Sequence, residues 1–289
     1  YFNNKTLNFI TFNFDYYAEA ALYVGCKKND IPVKLWHKEG IQTDLEGEHR
    51  MRTTFPKLSH MFKYFTDISV YNEFTKDRFI RLDKKNSKKI SVNGCPRMID
   101  FISNKKYYKK PTNILFLPFD IKRGIPQIKQ NKNLNFKLSL IKVIKILNDL
   151  SDNKDLKITV KYKHNSADKI SNQFNKKIKI FKNGSAERFI NQADIIIGQN
   201  SVATIESLVN GKYVMIPFFE NNLKLRKYLL NFDSDIVYSS EIAMKKKILN
   251  IISKKVIFPR NNKKYNNTIQ YYLGNPKNIV ERYKKFLNS

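Results

Sequence analysis

Cysteine is almost missing from these 289 residues. Cys26 and Cys95 are too few for a disulfide scaffold or a cysteine zinc site, and both read as reduced thiols of a cytoplasmic protein. Long apolar runs are missing too. Ile114–Phe119 and Ile195–Ile197 are strand-sized, far short of the ~20 residues of a membrane span. No N-terminal signal peptide is visible. HExxH and paired-cysteine signatures are absent, as are GxGxxG and the Walker P-loop, so no protein-bound metal and no cofactor is expected. Acidic side chains are scarce: 25 Asp and Glu stand against 54 Lys and Arg, a formal net charge of +29.

What is present describes a folded chain. Hydrophobic residues make up 42% and aromatics 13%, which excludes disorder, and the length suffices for two α/β domains. The positive charge comes from 44 Lys and only 10 Arg beside many Asn, a bias that AT-rich codons produce. Such a surface still attracts anionic partners: nucleotide-linked substrates, anionic lipid headgroups or nucleic acid. There is no Arg-rich recognition helix, zinc-finger spacing or aromatic–glycine single-strand signature, so nucleic acid is the disfavoured partner.

The most informative stretch is Ala193–Phe219. Ile195–Ile197 reads as a buried parallel strand. Gly198-Gln199-Asn200-Ser201 is a polar turn. Val202, Ile205, Leu208 and Val209 have the spacing of one helical face, Gly211 stops that helix, and Val214–Pro217 starts another strand. The turn of this βαβ unit lies at a strand's carboxyl end and a helix's amino end, where free N–H groups and the helix dipole favour phosphate. Gln199, Asn200, Ser201 and Thr204 are candidate phosphate-binding residues, and Glu206 is placed to accept from a ribose. An ordinary crossover with Ser201 as its helix cap is the alternative.

The rest of the chain alternates strands and helices, which predicts parallel sheets. Strands are expected at Leu7–Phe12, Val33–Trp36, Ile68–Tyr71 and Ile90–Val92, with helices Tyr16–Lys28 and Glu73–Leu82. Asn104–Thr112 reads as a linker. A second half follows, with strands Asn113–Pro118, Leu156–Lys161, Ile178–Phe181 and Asp235–Tyr238, and helices Phe136–Leu150, Ala186–Asn191 and Glu241–Ile252. A C-terminal helix is expected over Pro276–Asn288, with Asn275 as N-cap. The expected fold is α/β, with two Rossmann-like domains and a cleft between them. The first covers residues 1–110, the second 111–275, and the helix 276–289 packs near their junction. The start at Tyr1 leads to the expectation that the N-terminal domain is truncated.

Other candidates sit at predicted strand ends. His37 and Glu39, in Trp36-His37-Lys38-Glu39-Gly40, are alternative general bases, or a solvated turn with a capping Glu. Lys163 and His164, in Lys161-Tyr162-Lys163-His164, suit a diphosphate, or are a charged loop. Arg97, in Gly94-Cys95-Pro96-Arg97, clamps an anion or fixes the hinge through a backbone carbonyl.

Together these segments resemble a known family. Val92–Asp100 (VNGCPRMID) resembles the glycine–x–proline–arginine–x–aspartate motif at the domain junction of GT-B-type enzymes of surface-carbohydrate synthesis, although Ile99 delays its Asp by one residue. Lys161–His164 is similar to the lysine–x–histidine element of capsule polymerases and teichoic-acid-type transferases, with Asn165 where Pro usually follows. Ala193–Pro217 resembles the donor-binding βαβ unit of GT-B glycosyltransferases of capsule and lipopolysaccharide synthesis, and Ala18–Glu39 their acceptor-side helix and strand end. The resemblance runs from about Leu7 to Phe219. It implies a metal-independent glycosyltransferase moving a sugar from a UDP- or CMP-type nucleotide donor to a glycan or lipid-linked acceptor. In that reading residues 1–110 hold the acceptor and 111–275 the donor. The same reading implies a cytoplasmic protein, peripheral on the inner face of the plasma membrane and docked on anionic lipid. The alternatives are a sugar-nucleotide 2-epimerase or glycerol-phosphate transferase on the same architecture, and a basic nucleic-acid-binding protein.

Overall fold

The computed structural model describes residues 8–12, 17–37, 51–53, 55–101, 107–119, 135–162, 170–199, 201–221, 232, 234–258 and 263–289. The chain forms two compact units, residues 1–99 with 270–289 and residues 100–269. The passage between Ile99 and Asp100 stands where the sequence reading put a change after residue 110. The segment from Gln270 onward belongs to the first unit.

The first unit has a four-stranded parallel sheet in the order β1 (Phe9–Thr11), β2 (Val33–Trp36), β3 (Asp67–Val70), β4 (Ile90–Val92). Helix α1 (Tyr17–Lys28) follows β1. A short helix α2 (Phe55–Leu58) and a tight turn Ser59–Tyr64 precede β3, and α3 (Glu73–Leu82) joins β3 to β4. Period-two alternation sorts the strand side chains. Val33, Leu35, Ile68, Val70 and Ile90 join Tyr23, Phe62, Phe65 and Phe79 in one apolar core. Lys34 and Trp36 point the other way, toward a helix from far along the chain, α9 (Ile279–Asn288). Trp36 stacks on Tyr283 with ring centres 4.4 Å apart. Lys34, fully buried, donates to the carbonyls of Phe286 (2.8 Å) and Leu287 (3.3 Å) and to Ser289 Oγ (3.1 Å). A buried ammonium costs several kcal/mol unless it is compensated. Here it meets the unsatisfied carbonyls and negative pole of a helix C-terminus.

The connection into α9 is equally tight. Helix α8 (Asn266–Leu273) ends at Gly274, whose φ is +79°, and a Cβ there would lie 1.8 Å from the Tyr71 carbonyl oxygen. Gly94, also at positive φ, lies against the same segment. Asn72 caps α3 through Thr75 N (2.8 Å) and donates to Tyr272 O (3.0 Å). Cys95 N donates to Leu273 O (2.7 Å), and Tyr283 OH to Gly94 O (2.8 Å).

The second unit holds a six-stranded parallel sheet ordered β11 (Val237–Tyr238), β10 (Tyr213–Pro217), β9 (Ile195–Ile197), β6 (Asn113–Phe116), β7 (Lys157–Lys161), β8 (Lys179–Phe181). The helices are α4 (Lys137–Leu150), α5 (Ala186–Gln192), α6 (Val202–Val209) and α7 (Glu241–Ile252). Val143, Ile146, Leu147 and Leu150 of α4 and Met244, Ile248, Ile251 and Ile252 of α7 share one core with Ile114, Ile158, Ile195 and Met215. Each such fully buried aliphatic contributes about 1.5–3 kcal/mol. Two expectations need correction. The supposed linker Asn104–Thr112 contains β5 (Tyr107–Lys109), paired antiparallel with β12 (Val256–Phe258). The C-terminal helix begins at Ile279, after Asn278 in the left-handed region and without a side-chain cap, so Asn275 and Pro276 precede it.

At the amino edge of this sheet Asp194 is fully buried. It accepts from Thr112 N (2.9 Å) and Asn113 N (3.1 Å) and pairs with Lys109. Beside it Lys212 donates to Asn191 O (3.1 Å). Burial pushes the Lys212 amine down to about 8, with Asp194 opposing and Lys109 adding to the shift.

Two outcomes are expected. Gly274→Ala adds a methyl where the backbone of Tyr71 already sits and forces a positive φ on alanine, so unfolding free energy falls by about 3 kcal/mol or more in a denaturant titration. For Lys212, both states hold the proton below pH 8. From 8 toward 10.5 only the unfolded chain keeps it, so stability rises with pH in that window. Between pH 8 and 10 the wild type gains about 2 kcal/mol relative to Lys212→Met, read from urea curves at each pH.

Candidate functional site at the strand reversal of the second unit

The strand order of the six-stranded sheet changes direction at β6 and β9. From β6 the chain steps outward through β7 and β8, then returns to the other side of β6 and continues through β9, β10 and β11. Crossovers on the two sides run in opposite directions, which opens a crevice beyond the carboxyl ends of β6 and β9. Gly198, Gln199, Ser201 and the start of α6 lie there.

The turn is built closely. Leu117 N donates to Ile197 O (2.8 Å) and Gly198 N to Met215 O (3.1 Å). A Cβ on Gly198 would stand 2.7 Å from Thr204 Oγ1, so only glycine permits this approach. Ser201 is the N-cap of α6, with extended backbone; its Oγ accepts from Thr204 N (3.3 Å) and lies 2.9 Å from Thr204 Oγ1. Gln199 is buried and donates to Pro217 O (3.2 Å), tying the turn to the end of β10.

The structure thus brings Gln199, Ser201, Thr204 and Glu206 together around one helix start. Thr204 and Glu206 are fully buried and Ser201 is half-buried. Ser201 serves as the cap, the ordinary reading of the motif, and a ribose contact by Glu206 would require its carboxylate to become exposed. Asn200, Lys163 and His164 lie outside the described residues. The strand before the last two, β7, ends on the same edge as β6 and β9, since all are parallel. Its last side chain, Lys161, is turned inward. It donates to Tyr162 O and to Lys182 O (3.4 Å), and burial pushes its amine down. Tyr162 is buried too, its phenol pushed up to about 12 by burial, and its hydroxyl has no hydrogen-bond partner among the described residues.

Glu220 was not a sequence candidate. It follows β10 and sits at the start of α4, accepting from Ser139 N (2.8 Å) and from Ser139 Oγ, which itself accepts from Phe219 N (2.8 Å). The N-cap position of α4 is Phe136, which makes no side-chain cap. Asn135, one residue earlier, accepts from Lys137 N (3.0 Å), and no acidic residue stands in the first turn of α4. Glu220 adds a second acceptor, for Ser139 N, from 81 residues away and fills the anion position at that helix end. The α6 start has only the neutral Ser201 as its cap.

In the first unit His37 follows β2 directly. Its ring is buried edge-on against Phe79, 5.1 Å between centres, on the core side of the sheet. Glu39 lies outside the described residues. Arg97 is exposed, in the turn Pro96–Phe101 after β4. The segment around it receives the C-terminal arm: Arg282 donates to Asn93 O (3.1 Å). A hollow lined by Ser151, Asp152, Leu156, Ile158 and Lys177 lies at the amino edge of the second sheet, away from these strand ends.

No family model matches the chain, and no curated protein matches it by sequence. Solved structures do match in fold. A protein described as a UDP-N-acetylglucosamine 2-epimerase from Listeria monocytogenes aligns over 99% of this chain and 74% of its own, at TM-score 0.58 and 10% identity. The UDP-GlcNAc 2-epimerase from Methanocaldococcus jannaschii covers 95% and 75%, at 0.57 and 14%. The wall teichoic acid polymerase TagF covers 91% and 68%, at 0.54 and 14%. The chain has the GT-B-like architecture of two Rossmann-type α/β units.

Replacing Glu220 by alanine removes the acceptor at the start of α4. The expected cost is about 1–2 kcal/mol in chemical denaturation, the size of a lost helix cap.

Proposed function

We propose that the chain is a metal-independent glycosyltransferase that takes a sugar from a nucleotide donor. The single observation that carries this reading is the placement of the Gly198–Ser201 turn and the α6 amino end at the strand reversal, the position where doubly wound sheets bind ligands. In this proposal the α6 amides and Ser201, with Lys163, His164 and Asn200, hold the phosphates as charge builds on the leaving nucleotide. Arg97 adds positive charge, and Glu206 reaches a ribose only after rearrangement. The first unit takes a glycan or lipid-linked acceptor. Of the two candidate bases Glu39 is preferred, because the His37 ring is enclosed against Phe79. UDP- and CMP-type donors are the first to test, since structures of relatives in fold include a complex with UDP-GlcNAc.

A second reading, a sugar-nucleotide 2-epimerase, is favoured by the two epimerase structures at TM-scores 0.58 and 0.57. Product analysis separates the two. An epimerase converts its substrate with no acceptor present, and a transferase needs one.

The test is a thermal-shift panel of UDP, CMP, CDP, GDP and their sugars. A bound nucleotide at a hundredfold excess over Kd stabilises by about 2.7 kcal/mol. Ser201→Ala and His164→Ala are expected to weaken that binding roughly 10- to 150-fold, the loss of one charge-assisted hydrogen bond. Glu39→Gln is expected to cut turnover about 10²–10⁴-fold at nearly unchanged donor affinity. Failure of every nucleotide to stabilise the protein would overturn the proposal.

A further inference from the structure

Helices α4 and α7 lie side by side on one face of the six-stranded sheet. Their inner sides fill the same core. Their flanks are joined by ion pairs: Glu241 with Lys142 (3.7 Å) and Lys145 (3.8 Å), and Lys245 with Asp149 (2.7 Å). The outer sides are apolar to a degree that neither helix needs for folding. Ile242 is 79% exposed, Ile141 47%, Leu249 44% and Leu138 42%. On α7 the outward stripe runs Ile242, Lys246, Leu249, Ser253, the i, i+4, i+7, i+11 pattern of one helical face. On α4 it runs Leu138, Ile141, Lys145.

The charge on this face is one-sided. Residues 137–150 and 241–255 carry eight lysines and two acids, and both acids, Asp149 and Glu241, are taken up by the ion pairs above. Lys246, Lys247, Lys254 and Lys255 are all exposed.

We propose that the outer face of α4 and α7 is a docking surface for an anionic phospholipid bilayer. A single exposed aliphatic needs no explanation, but four on one face interleaved with lysines match the composition of helices that lie in a membrane interface. The lysine stems run along the aliphatic strip while their ammonium groups reach lipid phosphates. Anionic headgroups supply the complementary charge within a Debye length of the surface. A duplex nucleic acid would use the lysines and leave Ile242 and Leu249 in water. No described helix is long and apolar enough to cross a membrane, so the contact is made by a face. The inference rests on the transferase reading only for its purpose, access to a lipid-linked acceptor, and its test needs no turnover.

The test is co-sedimentation of the full chain with phosphatidylcholine vesicles, with and without phosphatidylglycerol, at several salt concentrations. Binding is expected only with phosphatidylglycerol, falling as salt rises. The pair Ile242→Ser with Leu249→Ser should lower the partition coefficient about tenfold, a change of about 1.4 kcal/mol. The pair Lys246→Glu with Lys254→Glu should lower it at least as much. The pair Lys84→Glu with Lys85→Glu, exposed in the first unit and carrying the same change of charge, should leave it within about twofold of wild type, since the contact is made by α4 and α7. Melting temperatures establish that each variant is folded, and Ile242→Ser alone, at the most exposed position, serves if a double variant is not. Equal binding to neutral vesicles, no loss in the aliphatic variant, an equal loss in the first-unit variant, or tighter binding of duplex DNA that displaces the vesicles would each overturn the proposal. Vesicle binding without any nucleotide stabilisation would sink the transferase reading and leave this surface standing.

Discussion

Parallel pairing forces every strand of the six-stranded sheet to end on one edge, because each crossover returns the chain to the amino side before the next strand starts. That constraint collects the carboxyl ends of β6, β7, β9 and β10 on one edge. The reversal between β6 and β9 then leaves a gap among them. Gly198, with no room for a Cβ beside Thr204, and Ser201, capping α6, are the local devices that hold the gap's floor. The opposite edge is tied down by the buried Asp194 and its lysines, and so serves stability.

Much of this was legible in the residues themselves. Ile195–Ile197, the polar turn, the apolar face of α6 and Gly211 give the central βαβ unit from local pattern alone. Helix α7 appears with the bounds its periodicity predicts. What escaped depends on partners distant in sequence. β5 looked like a charged linker because a three-residue strand is recognisable only from β12, about 150 residues later. Lys34 breaks an apolar strand, and nothing near it in sequence announces α9. Glu220 reads as a loop residue until Ser139 is beside it. At the candidate site the residue types were visible, but their burial was not. Thr204, Glu206 and His37 carry the right chemistry on paper, and the structure encloses all three.

The two helix starts at the carboxyl edge show how similar local geometry serves different ends. Both α4 and α6 present there amides that have no partner within the helix. A carboxylate from the same chain occupies one and a neutral hydroxyl the other. The start of α4 is thereby closed by a charge of the chain's own, and the start of α6 carries none.

The C-terminal arm has a consequence for biosynthesis. Lys34 and Phe286 are 252 residues apart, and at 5–20 residues per second the ribosome needs roughly 13–50 s to cover that distance. Throughout that interval the nascent first unit exposes Trp36, and Lys34 has Asp67 (3.9 Å) beside it but lacks the carbonyls of α9. The sheet of β1 to β4 is therefore completed only after α9 has been made, and the second unit is fully synthesised before the first can close. That face of the first sheet is expected to stay open to solvent until α9 emerges.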